Sequence, residues 1–171
     1  RSAANGGSYH VELEYITIAT TGNAVDFGDM PEARSGVAGS SNGIRGILWA
    51  GNHNATPAQI KEMEYITIAS TGNSADFGNM VRIVNDHSSC GNADRNIAAG
   101  GYYGSLQDTI EYCNPASTSN TSDFGNLITA QYMNQCAETA IRGIITGGYG
   151  RVAHENTIQY VTFASTGNGT D

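Results

Sequence analysis

The chain has 171 residues, enough to bury one sizeable core, and length alone argues for one domain. Hydrophobic content is 39%, charged content is 14% and glycine reaches 22 residues, which excludes a disordered acidic chain and a coiled coil. A formal net charge of −8 argues against nucleic-acid binding and against an anionic membrane surface, and no apolar run reaches the roughly 20 residues of a membrane span.

One phrase recurs four times. It reads EYITIATTGNAVDFGDM at 14–30, EYITIASTGNSADFGNM at 64–80, EYCNPASTSNTSDFGNL at 111–127 and QYVTFASTGNGTD at 159–171. Tyr15, Tyr65, Tyr112 and Tyr160 each stand 11 residues before Asp26, Asp76, Asp123 and Asp171. The first three of those aspartates stand 19 residues before Arg45, Arg95 and Arg142. Only the segment from Arg to the next Tyr varies, at 14, 20, 17 and 18 residues counted from Arg1, Arg45, Arg95 and Arg142. Rigid parts joined by an elastic one describe a scaffold carrying loops, and function is expected in the loops. The chain is therefore one repeat domain, 1–171, with units at about 1–30, 31–80, 81–127 and 128–171, the first and last incomplete.

The second unit sets out the expected elements. Residues 33–41 form a short first strand with Val37 inside it, and Ser41-Asn42-Gly43 supplies a turn. Arg45 to Gly51 is a buried second strand, and 52–62 the variable loop. Met63 to Ser70 is a third strand rich in β-branched and aromatic residues. Thr71-Gly72-Asn73 is expected to make the next hairpin turn, and Ala75 to Asn79, around Phe77, a fourth strand. The pairs Gly6-Gly7, Gly100-Gly101 and Gly147-Gly148, with Gly51 alone, end the second strands. In the third unit Cys113-Asn114-Pro115 replaces Ile-Thr-Ile, so its third strand is expected to be frayed or at an edge. A helix could be drawn over 128–141, but the repeat register places a strand and a turn there.

Each unit thus reads as four antiparallel strands that cannot bury both faces alone, and tandem units must stack. The predicted fold is all-β, with β-propeller blades of about 47 residues in an incomplete ring or part of a larger one. The chain begins where a second strand begins and stops where a fourth should start. Three explanations stay open: a piece of a longer protein, a ring completed by a partner copy, or a compact four-bladed ring or open stack.

The order Ala33-Arg34, then RGILWAG ending at Gly51, then EYITIAS, resembles a kelch repeat, but departs from it in the fourth strand: kelch carries Trp a short way after the Tyr, whereas here Phe27, Phe77 or Phe124 stands twelve residues after it, beyond an added Thr-Gly-Asn. Residues 15–30 and 65–80 are more similar to tandem repeats of the type YITIASTGNATDFGDL in virion and tail-fibre proteins of tailed phages. That resemblance implies a virion or extracellular structural protein without catalytic residues. It implies as partners a host-surface glycan or protein, or neighbouring subunits, further copies of the chain included.

The individual motifs mostly read as scaffold. Asp26-Phe27-Gly28, Asp76-Phe77-Gly78 and Asp123-Phe124-Gly125 spell a kinase motif, but no Gly-rich loop, strand Lys or catalytic loop accompanies them. Their Asp is expected to accept backbone N–H groups or pair with a neighbouring unit's Arg, since one Asp and one Asx per repeat is thin for calcium. Arg45, Arg95 and Arg142 are expected to be struts binding Asp or carbonyl groups. Tyr15, Tyr65, Tyr112 and Tyr160 should fill space between blades. Cys90 and Cys136, at what look like equivalent positions, and Cys113 lack zinc spacing and are expected to be free buried thiols. Binding candidates lie in the variable loops: Tyr9, His10, His53, Asn54, Tyr102, Tyr103, Tyr149, Arg151 and His154. Tyrosine among Asn, Ser and Gly suits sugar or protein surfaces. No cofactor or metal is expected, and a glycan-cleaving enzyme would need paired carboxylates for which no pair has a telling context. A self-assembling filament subunit is the alternative structural reading.

Overall fold

The computed structural model describes residues 9–53 and 59–171. Among these the chain is all-β, with thirteen strands in three antiparallel sheets. The first sheet runs β1 (His10–Tyr15), β2 (Val25–Ser35), β4 (Arg45–His53), β5 (Gln59–Thr67) and β6 (Ala75–Asn79), with β3 (Ala38–Ser41) paired to β4. The second orders β7 (Ser88–Gly91), β8 (Asn96–Ala99), β9 (Thr109–Cys113) and β10 (Ser122–Asn126) as a simple meander. The third holds β11 (Gln135–Glu138), β12 (Arg142–Thr146) and β13 (Ile158–Thr162). β3 lies beside β7 and β7 beside β11, so the first strands of successive units are neighbours. No closed ring forms among the described residues.

The turn from first to second strand is built alike in each of these units. The Asn42 side-chain oxygen accepts the Ile44 and Arg45 amides at 3.0 and 2.8 Å, and Asn92 does the same for Asp94 and Arg95 at 3.0 and 2.9 Å. Thr139 substitutes for Asn with longer bonds to Ile141 and Arg142, 3.2 and 3.1 Å. Short polar side chains that bond the backbone two and three residues on favour turns over continued strand. At the other end of the second strand, Gly100 and Gly147 have φ of +69° and +60°, and Ala50 occupies the matching place with φ +40°.

Two apolar clusters fill the spaces between sheets. One joins Ile47, Trp49, Met63 and Phe77 of the second unit to Ala98 and Cys113 of the third. The other joins Ile97, Ile110 and Phe124 of the third unit to Ile145, Val161 and Phe163 of the fourth. Alternation does this: Ile97 and Ala98 are neighbours in β8 and enter opposite clusters. Burying one such large side chain contributes about 1.5–3 kcal/mol.

The recurring phrase is the contact between units. In each of the first three copies the strand carrying Asp-Phe-Gly is bulged. Glu64 pairs with Asp76 and Met63 with Gly78, leaving Phe77 as the extra residue, and Phe27 and Phe124 are extra in the same way. The bulge turns each phenylalanine into the core and leaves Gly28, Gly78 and Gly125 at φ of +147°, +137° and +149°. A stretch of the next unit docks there. The Gly72 amide donates to the Phe27 carbonyl at 2.7 Å, and the Gly167 amide to that of Phe124 at 2.8 Å. Ser74, Thr121 and Gly169 amides donate to the Asp29, Asn79 and Asn126 carbonyls at 2.9, 2.9 and 2.8 Å. In return, the Asn73, Asn120 and Asn168 side-chain oxygens accept the amides of Asp29, Asn79 and Asn126 at 3.0, 2.9 and 3.0 Å. The carbonyl of residue 72, 119 or 167 lies where a Cβ on the facing glycine would stand, 2.3, 2.4 or 2.3 Å away. Only glycine fits.

Several expectations need correction. The tight turn after the third strand lies earlier than Thr71-Gly72-Asn73: Ser70 donates to Thr67 at 3.1 Å, and 72–74 is the docking stretch. The variable loop of the second unit is shorter than 52–62, because β4 continues to His53 and β5 starts at Gln59. The third unit's β9 is not an edge. It pairs with both β8 and β10, and Pro115 falls after the strand ends, where no ladder amide is needed. No helix forms over 128–141; β11 and a turn stand there.

The cysteines are free, as expected, but Cys90 and Cys136 are not equivalent. Cys90 stands five residues before Arg95 and Cys136 six before Arg142. A one-residue offset reverses the face of the strand. Cys90 and Cys136 therefore meet between β7 and β11, packed in the same cluster, where Cys136 Sγ also lies 3.1 Å from Ser88 Oγ. The hydrogen bond to Cys136, and burial, push the Cys90 thiol up.

Candidate functional site

Loop residues of the third and fourth units come together. Rings of Tyr102 and Tyr132 lie 5.7 Å apart, Tyr132 and Tyr149 5.6 Å, and Tyr149 and His154 5.3 Å, the last two nearly perpendicular. The backbone sets this row. Tyr132 bridges Tyr149, which bridges His154, and Tyr102 bridges Asn85 and Leu106. Beside it opens a cleft of about 560 Å³ lined by Tyr102, Ser105, Leu106, Ile128, Thr129 and Arg151 among others. Tyr102, Tyr149 and neighbouring Tyr103 are exposed, as are Arg151 and His154. Edge-to-face rings leave apolar faces beside polar tips, which suits ligands offering both C–H and hydroxyl groups.

The other loop candidates do not join this row. Tyr9 precedes β1 and is half-buried. His10 lies in β1 within 3.3 Å of Glu12, both well exposed. His53 ends β4 with Nδ1 3.1 Å from Glu32, and His10 and His53 flank Arg34 across the β1–β2–β4 register. Asn54 lies outside the described residues. Among the described residues no group of three or more His, Cys, Asp or Glu side chains is placed to hold a metal ion, and no helix is long and apolar enough to cross a membrane.

The repeated Arg and Tyr residues form one device. Arg45, Arg95 and Arg142 lie over the rings of Tyr65, Tyr112 and Tyr160 at 4.6, 4.6 and 4.4 Å. Arg45 donates to the carbonyls of Pro115 and Ala116 at 3.4 and 3.0 Å, and Arg95 to that of Phe163 at 2.7 Å, each in the following unit. Tyr15, Tyr65 and Tyr112 meet Phe27, Phe77 and Phe124 edge-on within their own units. Asp26, Asp76 and Asp123 are exposed and enter none of the ion pairs among the described residues.

In the second and third copies the buried acid is instead the Glu just before the repeated Tyr, whereas Glu14 of the first copy is exposed. Glu64 pairs with Arg34 at 2.5 Å and accepts the Ser74 hydroxyl. Glu111 accepts Arg82 Nε at 2.7 Å, the Thr121 hydroxyl at 2.6 Å and the Val81 amide at 2.9 Å. The fourth copy has Gln159, which takes the Ile128 amide at 2.8 Å and among the described residues has no Arg. At the three buried copies, charge is kept where a guanidinium neutralises it and dropped where no described one is present. Tyr132 was missed for another reason: it precedes β11 as Asn85 precedes β7, outside the Arg-to-Tyr window.

Near the aromatic row, His87 is buried with neither ring nitrogen bonded to any group among the described residues. Burial, with Arg82 adding to it, pushes its pKa down from 6.5 to about 4. Between those values the unfolded chain binds the extra proton, so stability is complete above the unfolded value and falls as pH drops toward 4. Urea unfolding should show about 2–3 kcal/mol lost to this group between pH 7.5 and pH 4.5. His87→Val, which copies Val37 at the matching position, should remove that part of the slope. Asp86, whose carboxyl burial pushes up, works in the opposite sense and is common to both proteins.

Against known proteins, no family model matches the chain and no curated protein matches it.

Proposed function

We propose that the chain is a non-enzymatic binding module. It is read as a run of kelch-like β-propeller blades in a phage appendage or other extracellular assembly, holding a host-surface glycan at the loops of its third and fourth units. The observation that carries this reading is the row Tyr102–Tyr132–Tyr149–His154 beside the cleft lined by Arg151. Tyrosine faces pack on sugar C–H groups, while phenol and guanidinium tips bond hydroxyls. Support for the blades comes from the meander β7-β8-β9-β10 and from the adjacency of β3, β7 and β11. The net charge of −8 favours neutral or cationic surfaces over phosphate.

The test is a glycan array followed by calorimetry on the best ligand. Tyr132→Ala and Tyr149→Ala should each weaken binding about tenfold or more, with circular dichroism unchanged. Parent-like affinity in both variants, or ligand turnover, would count against the proposal.

A further inference from the structure

The first unit carries the docking stretch of the clasp with no described residue docked against it. Thr20 donates to Thr17 at 3.2 Å, the turn made by Ser70, Ser117 and Ser165 onto Thr67, Asn114 and Thr162. Thr21-Gly22-Asn23-Ala24 follows as Thr71-Gly72-Asn73-Ser74 follows in the second unit. The stretch is thus preformed, yet among the described residues none accepts the Gly22 or Ala24 amide or donates to the Asn23 side chain, and Ala24 is exposed where Thr121 is buried.

The apolar positions beside it agree. One residue after the repeated Tyr, Cys113 and Val161 are 2% and 3% exposed against the preceding sheet, whereas Ile16 is 62% exposed. Three residues after it, Phe163 is 2% exposed and Ile18 is 95% exposed. Where Arg45 and Arg95 cap the carbonyls of Pro115 and Phe163, no described arginine reaches that of Ile18. In the third and fourth units tongue, apolar face and carbonyl are all met by the preceding unit, whereas in the first unit no described residue meets any of them.

We propose that this face docks a further repeat, one presenting a free bulged Asp-Phe-Gly-Asx strand and an arginine over a tyrosine. The partner is specified by the chemistry of the clasp: a glycine without Cβ to admit the Gly22 carbonyl, carbonyls to accept the Gly22 and Ala24 amides, and an Asx amide for the Asn23 side chain. Within the described residues all three such strands are already taken by residues 72–74, 119–121 and 167–169. The inference holds whatever the loops bind.

The test completes a fourth receiving strand on the full chain by appending Phe-Gly-Asn after Asp171. Amide exchange at Gly22 and Ala24 is read by NMR, with Gly72 and Ser74 as reporters of the intact fold, and mass by sedimentation. Docking onto a second copy, or onto the same copy by closure, should slow exchange at Gly22 and Ala24 about 100-fold or more relative to the unextended chain. Asn23→Ala in the extended chain should lose about tenfold of that protection. An extension of Phe-Ala-Asn, whose Cβ would meet the tongue, should give none. The proposal is overturned if Gly22 and Ala24 exchange at the unextended rate while Gly72 and Ser74 stay protected. It is equally overturned if the Phe-Ala-Asn extension protects as well.

Discussion

Replacing Gly78 with alanine is expected to cost at least about 3 kcal/mol of stability, read as a drop of the urea midpoint. A Cβ there would stand 2.4 Å from the Ser119 carbonyl oxygen and 2.6 Å from its carbon, and both are backbone. The residue also has φ +137°, so alanine is strained even before it meets its neighbour. Relief would require residues 119–121 to lift away, breaking the Thr121 amide bond to Asn79 and the Asn120 bond to the Asn79 amide. The opposite side of the same contact should tolerate the change. Nothing lies within 4 Å of a Cβ on Gly167, and the chain already places Ser119 at that repeat position. Gly167→Ala should therefore stay within about 1 kcal/mol of the parent. Similar losses for both variants would mean that glycine serves the phrase only as a flexible residue.

Arg82→Met should cost about 3–5 kcal/mol, because it strands the Glu111 carboxylate in the interior. Glu111 is 1% exposed, and Arg82 also donates to the Gln107 side chain at 3.1 Å and the Thr109 carbonyl at 3.2 Å. The fourth unit shows how the site is built without charge, since Gln159 takes the Ile128 amide as Glu111 takes that of Val81. Adding Glu111→Gln to Arg82→Met should thus recover most of the loss in urea unfolding. If the double variant were no more stable than the single one, the guanidinium would act by packing and not by neutralising charge.

The strand content was readable because the period is strict. Ala75–Asn79 was expected and is β6, and the register ruled out a helix over 128–141. The purpose of the phrase was not readable. Thr-Gly-Asn looks like a hairpin turn locally, and its role depends on a bulge about 45 residues earlier in the chain, at Phe27 for Gly72. Long-range pairing of this kind leaves no mark on composition. The carboxylates misled for a similar reason: Asp-Phe-Gly drew attention by spelling a known motif, while the exposed Asp76 carries less than the buried Glu64. Of the loop candidates, Tyr102, Tyr149, Arg151 and His154 do share a surface, and Tyr132 completes it. His10 and His53 lie instead around Arg34, because they sit on β1 and β4, the strands that flank β2 in the first sheet.

Native-state hydrogen exchange at the amides of Gly72, Thr121 and Gly167 tests most directly whether the phrase binds unit to unit. In a unit-to-unit clasp, these amides exchange only on global unfolding, with the same free energy as Ile97 and Ala98 in β8. Exchange at rates typical of a free loop, with β8 still protected, would contradict it and leave the recurring phrase without a structural purpose.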